Sequence, residues 1–357
     1  TFSPSTNALR KYGIGIAALG LSLAMVLAFW LPSYIEDVVN RQDFGGRFAE
    51  ATGGTFTSGR VAVHFWPLPH AVVPNGKVTI PERLSGQWAI ARIYPDYAAL
   101  LTGNVRVGGI VLQNPDLTVR QPSSPPPEPS AAPGLPSVAP LARRLREMVS
   151  PAAGLLKDMT IDIRDGGLNL SLGGLGPSPL RLEKLFLDLQ GEGDTLDLEL
   201  RCRSNFWKAL RLSGSLRPAT FEGRLELTAQ HFDPALVNQA LPAGAIQWHP
   251  RPMYVHAAAD LASGPHARVT VSVQTPELLL QGPDQAVTVS GLRLEAVLDW
   301  VPRRLRVEAM QIEAREPSLT LDCQGLFDAV DSRYEIELGG QQLGIEPLRA
   351  AALTLAG

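Results

Sequence analysis

From Thr55 onward the apolar residues of this chain recur at every second position, the period of a strand with one wet face. Val61, Val63 and Phe65 alternate with polar or small residues, as do Val78 and Ile80, Val105 and Val107, and Leu117 and Val119, and Pro and Gly punctuate each run. Beyond Lys157 the pattern predicts strands at Met159 to Ile163, Leu168 to Leu172, Leu182 to Leu189, Leu196 to Cys202, Leu210 to Leu216 and Phe221 to Ala229. A short helix at Pro234 to Ala240 separates these from Val255 to Leu261, Val269 to Val273, Leu278 to Leu280, Val287 to Trp300, Leu305 to Ala314, Leu319 to Gly325 and Tyr334 to Leu338. Leu-Asp-Leu-Glu-Leu at 196–200 and Arg-Val-Thr-Val-Ser-Val at 268–273 place an aliphatic set on one face and a polar set on the other. A dozen such strands in one sheet would extend about 58 Å at the usual inter-strand spacing. Few helical segments are available to cover the apolar face, so it must be closed by the sheet itself or by something outside the chain.

The N-terminal region has a different pattern. Tyr12 to Ile35 is a 24-residue stretch without a charged side chain, between Lys11 and Glu36. As a helix it would reach about 36 Å, enough to span a hydrocarbon core of about 30 Å with some tilt. Gly13, Gly15 and Gly20 suit close approach of a neighbouring helix in lipid. Tyr12 at one end, and Trp30 and Tyr34 at the other, are rings that favour the membrane interface. A cleaved signal peptide would have a shorter apolar core of about 7–15 residues and a small-residue cleavage site, whereas here the run is longer and Phe-Trp-Leu-Pro follows. Arg10 and Lys11 precede the stretch and Glu36 and Asp37 follow it, which predicts a cytoplasmic N-terminus and an exported remainder.

The organisation expected is therefore a cytoplasmic N-terminus (1–11), a transmembrane helix (12–35), a first β module (36–121), a Pro-rich linker (122–140), and a helix leading into the long β region (141–357). Ile35 to Glu50 reads as a polar helix closed by Thr52-Gly53-Gly54, where Gly takes the left-handed conformation that ends helices. Pro-Ser-Ser-Pro-Pro-Pro-Glu-Pro at 122–129 favours an extended spacer. Leu141 to Leu156 reads as a helix with Arg143, Arg144 and Arg146 on its solvated face, a basic face that could also touch lipid headgroups. Thr1 in place of Met, and no terminal cap before Gly357, fit a piece of a longer protein.

Composition narrows the function. A formal net charge of -3 over 357 residues argues against a polyanion-binding surface, so nucleic acid is not an expected partner. Two cysteines, Cys202 and Cys323, give neither a metal cluster nor a disulfide framework; they could pair in an oxidising compartment or pack as small hydrophobes, and packing is favoured. Aromatic residues are few, so the apolar surface is mostly aliphatic.

Several ordered segments resemble the AsmA-like family of bacterial envelope proteins, which are related to bridge-like lipid-transfer proteins with a repeating β-groove. The resemblance lies in the N-terminal span and helix running into Ala51-Thr52-Gly53-Gly54, then Val61-Ala62-Val63-His64-Phe65-Trp66-Pro67-Leu68-Pro69. It continues through Tyr97-Ala98-Ala99-Leu100-Leu101-Thr102-Gly103-Asn104-Val105-Arg106-Val107, Leu112-Gln113-Asn114-Pro115-Asp116-Leu117-Thr118-Val119-Arg120, and a strand, turn, strand unit at Met159 to Leu170. It implies an elongated, curled antiparallel sheet, anchored in a bacterial inner membrane with its bulk in the periplasm, whose hydrophobic trough carries phospholipid acyl chains.

The sequence offers little catalytic chemistry. His64, His70, His231, His249, His256 and His266 are scattered, and His-Glu-x-x-His, Gly-x-Ser-x-Gly and the P-loop pattern are absent, so no metal or hydrolytic scaffold is recognisable. Asp162 and Asp165 beside Arg164 read as residues serving a turn. Lipid handling needs only a continuous apolar strip. The candidates are Leu168, Leu170, Leu187, Leu189, Leu196, Leu198, Leu200, Leu210, Leu212, Val269, Val271, Val273, Leu319 and Leu321, with Cys323 beside the last pair. A filled sandwich core would use the same positions. The expectation is a non-enzymatic phospholipid-binding or lipid-transfer protein that maintains the outer envelope and needs no cofactor or metal. Its rivals are an accessory subunit docking on a larger membrane complex and an envelope enzyme.

Overall fold

A computed structural model describes Tyr34, Glu36, Asp37, Asn40, Arg41 and residues 43–81, 83–104, 106–120, 158–171, 180–233, 247–250, 252–262, 266–281, 286–301, 304–328 and 333–341. Tyr34, Glu36, Asp37 and Asn40 are helical, and helix α1 (Phe44–Thr52) follows. The single helix expected over 35–50 is interrupted before α1, where the Asp43 side chain caps the new start by accepting from the Gly46 amide at 2.7 Å, and Gly53 at φ 67° closes the other end as expected. Among the described residues no helix is long and apolar enough to cross a membrane. Of the stretch 12–35, only Tyr34 is described; Tyr12 and Trp30, the Pro-rich linker and the helices expected at 141–156 and 234–240 lie outside.

Everything else is mainly β, with strands β1 (Thr55–Thr57), β2 (Ala62–His64), β3 (His70–Ile80) and β4 (Leu84–Pro95), a short helix α2 (Tyr97–Leu101), then β5 (Val107–Gln113), β6 (Asp116–Arg120), β7 (Thr160–Ser171), β8 (Leu180–Glu192), β9 (Thr195–Ser204), β10 (Ala209–Arg217), β11 (Glu222–Phe232), β12 (Gln247–Pro250), β13 (Met253–Ala262), β14 (His266–Gln281), β15 (Ala286–Val301), β16 (Arg304–Ala314), β17 (Leu319–Asp328) and β18 (Arg333–Gln341). All belong to one sheet. From β7 onward it is a meander of antiparallel neighbours, with β12 and β13 both lying beside the long β14.

The expected sheet is wholly antiparallel; the observed one is mixed. β5 and β6, which follow one another along the same line, both pair parallel with β7. A parallel pair requires a long crossover, and the chain between Arg120 and Asp158 supplies it. The strand, turn, strand unit expected at Met159 to Leu170 is likewise a single strand. Asp165, at φ 54°, bends β7 without reversing it, so that its first half meets β5 and its second half β6. The bend fits around the Asn114-Pro115 corner: the Asn114 amide donates to the Arg164 carbonyl at 2.9 Å, and the Gly167 amide to the Pro115 carbonyl at 2.7 Å. Pro115 is completely buried there.

Left-handed residues recur on neighbouring strands at this level: Asn75 in β3, Asn114 after β5, Asp165 in β7 and Lys184 in β8. Each lies where the buried set changes phase. In β3, Val73 and Gly76 are both buried; in β8, Leu182 and Leu185 are. These residues mark a crease across the sheet, and each keeps one apolar face where a strictly alternating strand would turn its side chains over.

At the β10–β11 contact a β-carbon on Gly214 would lie 2.0 Å from the Arg224 carbonyl oxygen. Backbone on the neighbouring strand cannot move aside as a side chain would. Gly214→Val is expected to destabilise the protein by about 2–3 kcal/mol, read from the denaturant midpoint; an unchanged midpoint would refute this pairing.

Candidate functional site: an open apolar face

The cross-strand register joins the aliphatic positions into continuous rows. One runs Val73, Ala91, Leu112, Ile163, Leu187, Leu200, Leu212, Leu227, Ala257, Val271, Ala296, Met310, Cys323, Leu338, each opposite the next from β3 to β18. A second, one pleat away, runs Val63, Ala71, Ile93, Ile110, Ile161, Leu189, Leu198, Gly214, Leu225, Ala259, Val269, Leu298, Val307, Gly325, Ile336. Neither row contains a charged or hydrogen-bonding side chain apart from the thiol of Cys323. Crossing fourteen strands, the first spans about 60 Å. On its flanks lie Leu196, Leu216, Leu261 and Ala267 on one side, and Leu210, Ala229, Val255, Val273, Leu294, Ile312 and Leu321 on the other.

All the aliphatic positions singled out from sequence fall on this face. Leu187, Leu189, Leu196, Leu198, Leu200, Leu210, Leu212, Val269, Val271, Val273 and Leu321 lie in these rows, and Leu319 pairs with Ala314 at one margin. Leu168 and Leu170 sit beyond the crease, opposite Leu182 and Leu180, where Leu168 packs against the buried group of Ile163, Leu182, Leu185 and Cys202.

Burial distinguishes this face from a sandwich core. A core leucine under a second sheet is sealed at its tip, whereas one on an uncovered sheet is shielded only at its flanks. Of the row residues singled out, only Leu196 is fully buried; the others are half-buried. The buried positions from β11 onward are mostly small, Ala229, Ala267, Ala296, Ala314 and Cys323, hidden between larger neighbours. The two buried clusters found among the described residues both lie in the first half of the sheet. Four adjacent rows are about 20 Å wide, so the plan footprint of the face is on the order of 1,200 Å².

At the β2–β4 end the rows run into a pocket of about 320 Å³ lined by Phe48, Phe56, Ser58, Val61, Ala71, Val73 and Ile93. Helix α1 roofs it: Phe48 packs on Phe56, with ring centres 6.0 Å apart, and Phe56 on Trp88 at 6.1 Å. At the other end the rows finish on β18, where Ile336 and Leu338 are exposed by 68% and 67%.

The opposite face is polar. Arg224, Asp260, Arg268, Asp299 and Arg306 face one another in succession, alternating in sign. A concavity of about 610 Å³ there includes Asp299, Arg304, Arg306, Glu308, Glu335 and Glu337 in its lining, and ion pairs reach across strands around it. Arg268 meets Glu308 at 2.6 Å, and Arg304 donates to buried Asp328 at 2.9 and 2.7 Å. Among the described residues no three metal-ligating side chains gather. Arg164 is bridged by Asp162, whose hydrogen bonds, and then whose charge, hold the guanidinium above its ordinary range, a pair on the wet face and not a turn. Cys202 and Cys323 are both free and buried, and burial pushes the Cys202 thiol up, away from the reactive thiolate. No protein-family model, curated protein or solved structure matches the chain.

The open face has a mechanical signature. Val271→Asn, at a half-covered site, is expected to cost less than about 1.5 kcal/mol in a denaturant titration of the purified protein. Ile163→Asn, in the buried cluster, should cost about 3 kcal/mol or more. Equal large losses would mean that both positions are closed core.

Proposed function

We propose that the apolar face is a lipid-binding trough, and that the protein is a non-enzymatic carrier of phospholipids held in a bacterial inner membrane with its sheet in the periplasm. The observation that carries this reading is the pair of apolar rows, unbroken from β3 to β18 and, among the described residues, covered only at their flanks. A face of this size left to water opposes folding, while acyl chains laid along it recover about 25 cal/mol for each Å² covered. The chemistry is that of a solvent and not of a specific pocket: the rows offer no donors or acceptors to select a headgroup, so the polar ends of the lipid stay at the rim. The uncharged stretch 12–35 and the resemblance of the ordered motifs to the AsmA-like family support the anchored, envelope setting. Movement along such a trough has no energy source in this chain and would follow lipid supply.

A second reading, an accessory subunit of a larger membrane complex, is favoured by β18. Its one described strand partner is β17, and its exposed Ile336 and Leu338 would suit addition of a further strand that prolongs the same face.

The test is native mass spectrometry of the full chain released from detergent. Wild type is expected to retain phospholipid, and a variant carrying Leu200→Asp and Val271→Asp to retain several-fold less with an unchanged far-ultraviolet circular dichroism spectrum. A wild-type protein that is stably folded and lipid-free would overturn the trough and leave the subunit reading ahead.

A further inference from the structure

The N-terminal module carries a second apolar surface, separate from the rows. Trp66 is 87% exposed and Leu68 53% exposed in the loop between β2 and β3, and Leu100 and Val107 are 43% and 47% exposed at α2 and the start of β5. These sit at one corner of the sheet, among its first strands and on the margin where β3 begins and β4 ends: Ala71 lies opposite Ile93, and Tyr94 opposite Gly109. The Tyr97 hydroxyl donates to the Pro69 carbonyl at 2.9 Å, tying α2 to the loop. Behind the loop His64, His70 and Tyr94 stack with ring centres 5.3 and 5.2 Å apart, and His70 is fixed through Nδ1 to the Leu68 carbonyl at 2.8 Å. The protruding side chains therefore stand on a braced base.

The preceding chain approaches this same corner. Asn40 exchanges hydrogen bonds with Val61, both at 2.9 Å, and Glu36 accepts from the Val63 amide at 2.7 Å, with Arg60 paired to Asp37. Read backwards from Asn40 to Glu36, the chain runs beside β2 in the direction of Trp66. The next residue, Ile35, ends the 24-residue uncharged stretch.

We infer that Trp66, Leu68, Leu100 and Val107 form a foot that inserts into the interfacial layer of the bilayer crossed by residues 12–35, standing the sheet end-on against the membrane. The inference rests on reading 12–35 as a span. Trp is favoured at the headgroup level, where its ring is half in hydrocarbon and its N–H meets water. Arg106, exposed beside Val107, suits anionic headgroups. The foot fixes which end of the sheet meets lipid. The α1-roofed pocket at the membrane-proximal module then becomes the end at which an acyl chain first reaches the rows.

The full chain, reconstituted in phosphatidylcholine and phosphatidylglycerol vesicles containing nitroxide-labelled lipid, supplies the test. An environment-sensitive fluorophore is placed at Leu68→Cys, at Ser22→Cys in the span, and at Thr220→Cys on the β10–β11 turn, the native cysteines being buried. Fluorescence is expected to be quenched at 22 and 68, with a blue shift at 68, and unchanged at 220. Quenching at 22 without quenching at 68 overturns the foot, leaves the span intact and assigns the exposed patch to a protein partner. Quenching at neither position overturns the span and the foot with it, and quenching at 220 as well overturns the end-on stance.

Discussion

A sheet that is apolar on one side must have that side taken out of water, and this constraint governs the rest of the structure. In an ordinary domain a second layer does it. Here the described helices are short: α1 roofs only the first strands and α2 caps one connection. The remaining rows shield one another sideways, Leu against Leu and Val against Val, and the tips stay open. Lateral contacts of this kind stabilise the pairing of strands without closing a core. Register matters accordingly. A slip of one residue would put Arg201, Arg211 and Thr228 where Leu200, Leu212 and Leu227 stand.

The crease follows from the same demand. The sheet twists and the strands are long, so a continuous apolar face cannot be kept by strict alternation everywhere. Asn75, Asp165 and Lys184 each adopt the left-handed conformation where the phase changes, and on the far side a bulge between Val307 and Met310 does the same for β16. Side chains that would have turned to the polar face stay with the rows, so local backbone irregularity preserves the global pattern.

Much of this was legible in the sequence. Alternation marks most strands, and the Leu and Val positions proposed from it for the trough all share one face. It fails at particular places for physical reasons. β4 escapes because its inward set changes phase between Trp88 and Ala91, so neither half is long enough to register as a period of two. Pro276 makes β14 read as two strands, although Glu277 to Gln281 continue the pairing with β15. The parallel arrangement at β7 depends on a crossover whose length permits it and whose composition does not announce it. The rows pass through Ala257, Ala259, Gly214 and Gly325, which no hydropathy pattern singles out; only the register shows that they link the larger residues. Trp66 and Leu68 lie in a Pro-bounded loop with no period at all, so their exposure is visible only in three dimensions.

In the proposed function the apolar face meets lipid and not protein. Site-specific photo-crosslinking tests it most directly, with a photoreactive phenylalanine placed in turn at Leu198 and Val271 on the rows and at Thr270 and Arg224 on the opposite face, in the full chain in its native membrane. Phospholipid adducts at Leu198 and Val271, and none at Thr270 and Arg224, are the result the account requires. Adducts to the chain itself or to another protein at the row positions, without lipid, would contradict it.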